Sequence, residues 1–282
     1  MNEGPRPLPD LVEATARLRS LLAEMESALV AFSGGVDSAL LLSFAVEVLG
    51  DRAVAFTAAS ETLVEEERGG AEAVASALGA RHLMAGSREL DREAYRANTG
   101  DRCYHCKTEL FDLARVAAER EGYAWVLDGT ILDDLGEHRP GLAAAREHAV
   151  RHPLVEAGFT KAMVREAARA RGLPVWDKPA APCLGSRFAV GTRVTPERLA
   201  RVASLERELK AMGFAVVRVR VHGAEGGELA RVEVGAAEVA RFDDGELRDR
   251  LSAAAEKLGF LRVSVDPAGY RRGSVSVATD RA

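Results

Sequence analysis

The sequence predicts an α/β fold, a parallel sheet with helices on both faces, followed by a small α+β domain at the carboxyl end. Three observations carry this. Ala28 to Phe32 is a continuous apolar run suited to a strand buried on both faces. Short apolar runs then alternate with segments of helical period, as in a parallel sheet wrapped by helices. Near Val190 the pattern switches to strands in which apolar and charged residues alternate. At 282 residues the chain is near twice a usual single domain, and domains of 1–190 and 191–282 are expected.

The elements follow in order. Leu11, Leu18, Leu22 and Met25 share one face of an opening helix. After the Ala28 strand come a glycine turn and a helix from Ser38 to Leu49, stopped at Gly50. Ala53 to Thr57 reads as strand, Leu63 to Leu78 as helix, and Arg81 to Met84 as strand. Thr108 to Glu121 reads as helix and Trp125 to Leu127 as strand. Thr160 caps a helix that ends before Gly172. From Lys178 to Gly191, Pro179, Pro182, Gly185 and Gly191 describe an ordered loop. Thr195-Pro196 then starts a helix running to about Met212. Val217 to Val221 and Ala230 to Val234 alternate with period two, each with one apolar and one charged face, and a longer hairpin is expected between them. A helix at Glu246 to Leu258 and a strand at Leu261 to Val265 complete the second module.

Composition narrows the function. With 47% hydrophobic and 29% charged residues, the chain has no mark of disorder. Its richest apolar stretch, Ser38 to Leu49, is interrupted by Glu47, so no membrane span is expected. The opening MNEGPRPLPD lacks the basic start and apolar core of a secretory signal, which makes the cytoplasm the expected compartment. A net charge of −5 gives no broad footing on a nucleic-acid backbone. Three cysteines are too few for a disulfide framework and read better as ligands, nucleophiles or core filler.

The chemistry begins in the turn Ser33-Gly34-Gly35-Val36-Asp37-Ser38. Gly34 and Gly35 let the backbone approach an oxyanion, and the following helix offers unpaired N–H groups and its positive dipole end. The turn lacks the Gly-Lys-Ser/Thr of a Walker A loop and the three-glycine dinucleotide fingerprint. It resembles the PP-loop of the ATP pyrophosphatase superfamily, which grips the β and γ phosphates as leaving pyrophosphate. Adenylation is the chemistry implied: the hydroxyls of Ser33 and Ser38 would donate to phosphate oxygens, and Asp37 would help hold Mg2+. An ordinary glycine turn capped by Ser33 is the plainer alternative, and the apolar strand before it and helix after it favour the PP-loop.

The cysteines address the acceptor. Cys103 and Cys106 stand three residues apart in CYHCK, and Cys183 lies in the proline-rich loop. Three such thiols can hold three irons of a cubane cluster and leave the fourth iron open. Zinc completed by His105 is a second reading, and an incidental pair a third. Arg187 and Lys178 near Cys183 would favour a thiolate able to attack an activated carboxylate.

The ordered set SGGVDS, CYHCK, DGT with DD two residues on, RPG, LPVWDKPAAPCLGSR, TPERL, RVRVH, ARVEV and GYRRGS runs from residue 33 to 274 and resembles the LarE family. Members are ATP-dependent sulfurtransferases, pyridinium-3,5-biscarboxylic acid mononucleotide synthases that make the nickel-pincer nucleotide cofactor of lactate racemase. The resemblance implies that a pyridinium carboxylate is adenylated and that the cysteine matching Cys183 attacks, expelling AMP. Members with one cysteine surrender its sulfur. Those with three carry a [4Fe-4S] cluster whose open iron binds a replaceable sulfide, and this chain has all three. The same resemblance implies ATP with Mg2+, a small pyridinium mononucleotide as substrate, and a homo-oligomer, and it leaves the sulfide donor unspecified. It places Asp128 and Gly129 at the nucleotide, as strand carboxyl ends do. Arg218 and Arg220, on one strand face, are expected at the substrate phosphate, with Arg271 a further contact and Arg187 beside the substrate. Glu206 and Glu233 resemble acidic residues near the sulfur site. Ile131 and Leu132 depart from the Asn and Ala frequent there in the family. Another PP-loop enzyme, such as a cluster-dependent tRNA thiolase or an amidotransferase, is the alternative function, and a non-catalytic nucleotide-binding iron–sulfur or zinc protein a second.

Overall fold

The computed structural model describes residues 9–60, 62–136, 140–179 and 182–271. Two compact units form, one from Met1–Glu89 and Cys103–Ala181, the other from Leu90–Arg102 and Pro182–Ala282. The expected division at residue 190 therefore moves to 181, and residues 90–102 join the carboxyl-terminal unit.

In chain order the elements are α1 (Leu11–Ala23), β1 (Ala28–Ala31), α2 (Val36–Leu49), β2 (Ala53–Ala59), α3 (Glu65–Ala77) and β3 (Arg81–Gly86). There follow α4 (Glu93–Ala97), α5 (Arg102–Glu121), β4 (Trp125–Leu127), α6 (Leu132–Leu135), α7 (Pro140–Glu147), α8 (Pro153–Ala157) and α9 (Lys161–Ala170). The remainder are α10 (Pro196–Ala211), β5 (Val217–Ala224), β6 (Gly227–Val234), α11 (Gly245–Lys257) and β7 (Arg262–Val265). Among the described residues no helix is long and apolar enough to cross a membrane.

The first unit is the expected α/β layer. Its sheet has the order β3-β2-β1-β4, with β1 parallel to both neighbours, Ala28 facing Ala53 on one side and Trp125 on the other. Every residue of β1 is buried, because helices cover both faces. On one face α1 and α2 bring Leu18, Leu22, Leu40 and Leu41, all fully buried, and each contributes about 1.5–3 kcal/mol of apolar burial. On the other, Phe111 and Ala114 of α5 pack with Leu29, Val54 and Phe56. Ile131 is 2% exposed in the first of these clusters, so this departure from the family pattern is core packing.

One local expectation changes. The helix expected from Thr108 begins at Arg102, so Cys103 and Cys106 stand on the first turns of a helix. The longer hairpin expected between Val221 and Ala230 is made of paired strand. Both strands continue to Ala224 and Gly227 and close through Glu225-Gly226, with Gly226 at φ +83°, the left-handed region a two-residue hairpin turn requires.

The second unit has a three-stranded sheet, β5-β6-β7, antiparallel then parallel. The segment 90–102 belongs to it because Asn98, 2% exposed and at φ +53°, clamps the loop after Cys183. Its side-chain amide donates to the carbonyls of Ala189 (2.7 Å) and Thr192 (3.0 Å), and its own carbonyl accepts from the Gly191 amide (2.8 Å). A β-carbon at Gly185 would lie 2.7 Å from the Tyr95 hydroxyl, so only glycine fits there. Replacing Asn98 by Ala leaves those carbonyls without their donor and removes the short polar side chain that makes a left-handed conformation tolerable. A loss of about 3 kcal/mol is expected in urea denaturation, and a loss below about 0.5 kcal/mol would show that the clamp does not hold this loop.

Candidate nucleotide and sulfur site

At the carboxyl ends of the first unit's strands lies a cavity of about 620 Å3, lined by the loop after β1, by Asp128 and Gly129 after β4, and by Cys103 and Lys107 of α5. The loop is self-bracing. Ser38 Oγ donates to the Gly35 carbonyl at 3.1 Å and lies 3.2 Å from Ser33 Oγ, while the Gly35 amide donates to Ser33 Oγ at 3.3 Å. Gly34 has φ +69°, and a β-carbon there would meet Ala71 Cα of α3 at 2.8 Å. Gly35 differs: its φ of −81° is ordinary, and a β-carbon would press only on Ser33 Oγ at 3.3 Å. Gly129 has a third reason, since its β-carbon would lie 2.8 Å from the backbone nitrogen of Ser38. These backbone approaches leave a concave turn at the amino end of α2, where amide N–H groups and the helix dipole favour an anion.

Asp37 reaches Lys161 Nζ with both carboxylate oxygens, at 2.8 and 2.7 Å. Sequence reasoning missed Lys161. A signal was present: it is the first residue of α9, where the helix dipole disfavours a cation, so a lysine there needs an external partner. Asp133, one of the DD pair, accepts from the Lys161 backbone amide at 2.8 Å, and Asp134 accepts from the Ile131 amide at 3.2 Å. Lys178, expected beside Cys183, is bound to Glu67 of α3 at 2.7 Å.

Asp128 is 5% exposed and accepts from His152 Nδ1 (2.6 Å) and the Thr130 amide (3.0 Å). Burial by itself would push its carboxyl up, but the His152 hydrogen bond, the charges of Lys107 and His152, and the Thr130 hydrogen bond outweigh burial and hold it at about 2. The carboxylate is therefore ionised at neutral pH.

Arg187, expected beside the substrate, is 3% exposed, and its N–H groups are engaged within the second unit. Nε and Nη2 bind the two oxygens of Glu206 at 2.8 and 3.0 Å, and Nη1 donates to the carbonyls of Pro182 (2.7 Å) and Cys183 (3.1 Å). Glu206 also accepts from the Val219 amide at 2.9 Å, so this pair fixes the Cys183 loop between α10 and β5. The charged strand faces are buried as well. Arg220, 4% exposed, binds Glu233, which is fully buried and also accepts from Arg231 at 3.2 Å. Arg218 stacks 5.2 Å from the Tyr270 ring, and Arg271 lies 3.6 Å from Asp266. The rest of that motif, 272–274, lies outside the described residues, as do Arg139 of RPG and Ala180 and Ala181 of the cysteine loop. Burial, then the charge of Arg187, lowers the pKa of Arg218, against Glu206 and Tyr270. Among the described residues, Arg187, Arg220, Arg231 and Arg271 lie against Glu206, Glu233 and Asp266.

Cys103 and Cys183 are exposed and Cys106 is partly so, and none is in a disulfide. Among the described residues no three His, Cys, Asp or Glu side chains are gathered as a metal site. As a donor set, three accessible thiols suit a soft metal such as iron.

A strand, a glycine loop braced by its own serines, a helix amino end and a strand-end aspartate define an ATP-using enzyme of the PP-loop class. The asparagine synthase family model matches residues 13–135, which hold this arrangement. An uncharacterized protein of Synechocystis sp. is 41% identical over 259 residues, 92% of this chain and 95% of its own. The pyridinium-3,5-bisthiocarboxylic acid mononucleotide synthase of Lactiplantibacillus plantarum is 36% identical over 267 residues, 94% of this chain and 95% of its own. An uncharacterized protein of Methanocaldococcus jannaschii is 29% identical over 192 residues, 68% of this chain and 73% of its own. The chain belongs to the LarE family. The synthase's name specifies a bisthiocarboxylic product, which corrects the biscarboxylic one given above from the resemblance.

The Asp128 arrangement has a pH consequence. Its pKa falls from 3.8 to about 2 on folding, so between those values the unfolded chain binds more protons and stability rises with pH. The contribution, about 2 kcal/mol, is complete above pH ~4 and is lost as pH falls through ~2. In urea denaturation at stepped pH, Asp128→Asn should flatten the wild-type slope below pH ~4, and parallel slopes would refute this account.

Proposed function

We propose that this chain is an ATP-dependent sulfurtransferase that adenylates a carboxylate of a pyridinium mononucleotide and replaces the carboxylate oxygen by sulfur, in nickel-pincer nucleotide biosynthesis. The observation that carries it is the PP-loop cavity with Cys103 in its wall, in a chain aligned over 94% of its length with a thiocarboxylate-forming synthase.

The residues divide the work. Magnesium ATP is the substrate, and the concave turn at the amino end of α2, in the wall of the cavity, is the proposed seat of its phosphates. Ser33, Ser38 and the loop amides hold the β and γ phosphates, and Asp37 serves the magnesium. The substrate carboxylate oxygen bonds to the α phosphorus as the bond to the bridging oxygen breaks, releasing pyrophosphate. Sulfur then displaces AMP from the carbonyl carbon, the original carboxylate oxygen leaving with the AMP phosphate. Arg218, Arg220 and Arg271 take the mononucleotide phosphate and carboxylates. Arg187, Glu206 and Glu233 hold the Cys183 loop and the arginine face in place.

Cys103, Cys106 and Cys183 are the proposed ligands of a [4Fe-4S] cluster that supplies a replaceable sulfide. A protein that consumes its own thiol each turnover needs one cysteine, and the additional pair argues for a carrier. The assembly proposed is a cytoplasmic homo-oligomer acting on a small molecule.

Product analysis tests the first half: AMP and pyrophosphate should form only when the carboxylated pyridinium mononucleotide is present, and ADP with inorganic phosphate would refute the PP-loop assignment. The sulfur source has its own test under anaerobic conditions with external sulfide. Serine at 103, 106 or 183 should each abolish the iron–sulfur absorption, and wild type should deliver more than one sulfur per chain with Cys183 intact. A mass loss of about 34 Da at Cys183, matching the sulfur delivered, would instead identify a sacrificial thiol.

A further inference from the structure

Lys161 is neither part of the glycine loop nor of any motif read from the sequence, yet its ammonium spans both oxygens of the loop's own carboxylate, Asp37, at 2.7 and 2.8 Å. We infer that Lys161 is a positioning residue that withholds Asp37 from divalent metal until magnesium ATP arrives, and then turns its ammonium to the phosphates. This rests on the PP-loop reading above and deepens it.

Three features carry the inference. The pair is half-exposed, the side chains of Lys161 and Asp37 being 38% and 29% accessible, so an ion can reach the carboxylate and the lysine can leave without repacking a core. The backbone of Lys161 is fixed independently, because Asp133 accepts its amide hydrogen at 2.8 Å. Releasing Asp37 therefore moves the four-carbon stem and not the helix. The other acidic groups of the cavity are differently engaged: Asp128 holds His152 and the Thr130 amide, Asp134 the Ile131 amide, and Glu67 is bound to Lys178.

Charge gives the direction. Magnesium is a hard cation that takes carboxylate oxygens, and here it must share the lone pairs already given to an ammonium less than 3 Å away. A metal on the same carboxylate would stand beside that ammonium and be repelled by it, so the protein alone binds the metal weakly. A triphosphate reverses the balance, since its anionic oxygens attract both cations and let them separate, metal on Asp37 and ammonium on phosphate. Metal then enters with nucleotide rather than before it. The ammonium, placed one residue's reach from the first turn of α2, offsets charge that develops on departing pyrophosphate.

Manganese as the probe, followed by electron paramagnetic resonance on the full-length protein without nucleotide, tests this. Lys161→Met should bind Mn2+ about five- to tenfold more tightly than wild type, and Lys161→Met in an Asp37→Asn background should lose that gain. With ATP present, the Lys161→Met protein should show a higher KM for magnesium ATP and a lower kcat for AMP formation. Lys161→Gln, which keeps a polar head, serves as a second variant, and thermal melting of each reports folding. An unchanged manganese affinity, or a gain that persists with Asp37→Asn, would overturn the inference. Product analysis on the same preparations separates the two claims. ADP formation sinks the PP-loop reading, whereas AMP formation with unchanged manganese binding sinks only the role of Lys161.

Discussion

Where β4 ends, Gly129 lies so close to the first turn of α2 that a β-carbon would be 2.8 Å from the Ser38 nitrogen, and the nucleotide end of the first unit depends on that approach. A parallel sheet brings the carboxyl ends of its strands to one edge, and here β1 pairs with β2 and β4 in that sense. The tight passage at Gly129 then sets Asp128 beside the loop and leaves the amino end of α2 open to an anion. Gly34 performs the corresponding service on the other side, where α3 comes within 2.8 Å of its missing β-carbon. The glycines act by what they leave out. Only at Gly34 is a left-handed backbone also required.

Charge is used in two ways. In the first unit, carboxylates at an open cavity are held by half-exposed lysines, Asp37 by Lys161 and Glu67 by Lys178. Such half-exposed pairs contribute little to stability. In the second unit, arginines are buried against Glu206 and Glu233, with forked geometry at Arg187. A buried pair of this kind adds little net stability, and losing one partner leaves the other uncompensated, so its contribution is to hold one arrangement of the loop. Arg187 is thereby a residue that positions Cys183 through the carbonyls of Pro182 and Cys183.

Much of this was legible in the sequence by itself. The apolar run of Ala28 to Phe32, the glycine turn after it and the helix from Ser38 are local patterns, and period and turn chemistry report local structure faithfully. They determined the parallel sheet and the glycine turn between its first strand and helix, and the ordered motifs determined the family. Thr160 and Thr195 cap their helices as read, accepting from the amides of Met163 and Arg198. Tertiary structure decided what depends on residues distant in sequence. It assigned 90–102 to the second unit through Asn98, placed Lys161 on Asp37 across 124 residues, and buried the charged faces of β5 and β6 that alternation alone had read as ordinary half-buried strands. Periodicity says which face a side chain takes and not what covers that face, and an ion pair is set by where two backbones meet. That is why the glycine turn was visible in the sequence while the partner of its carboxylate was not.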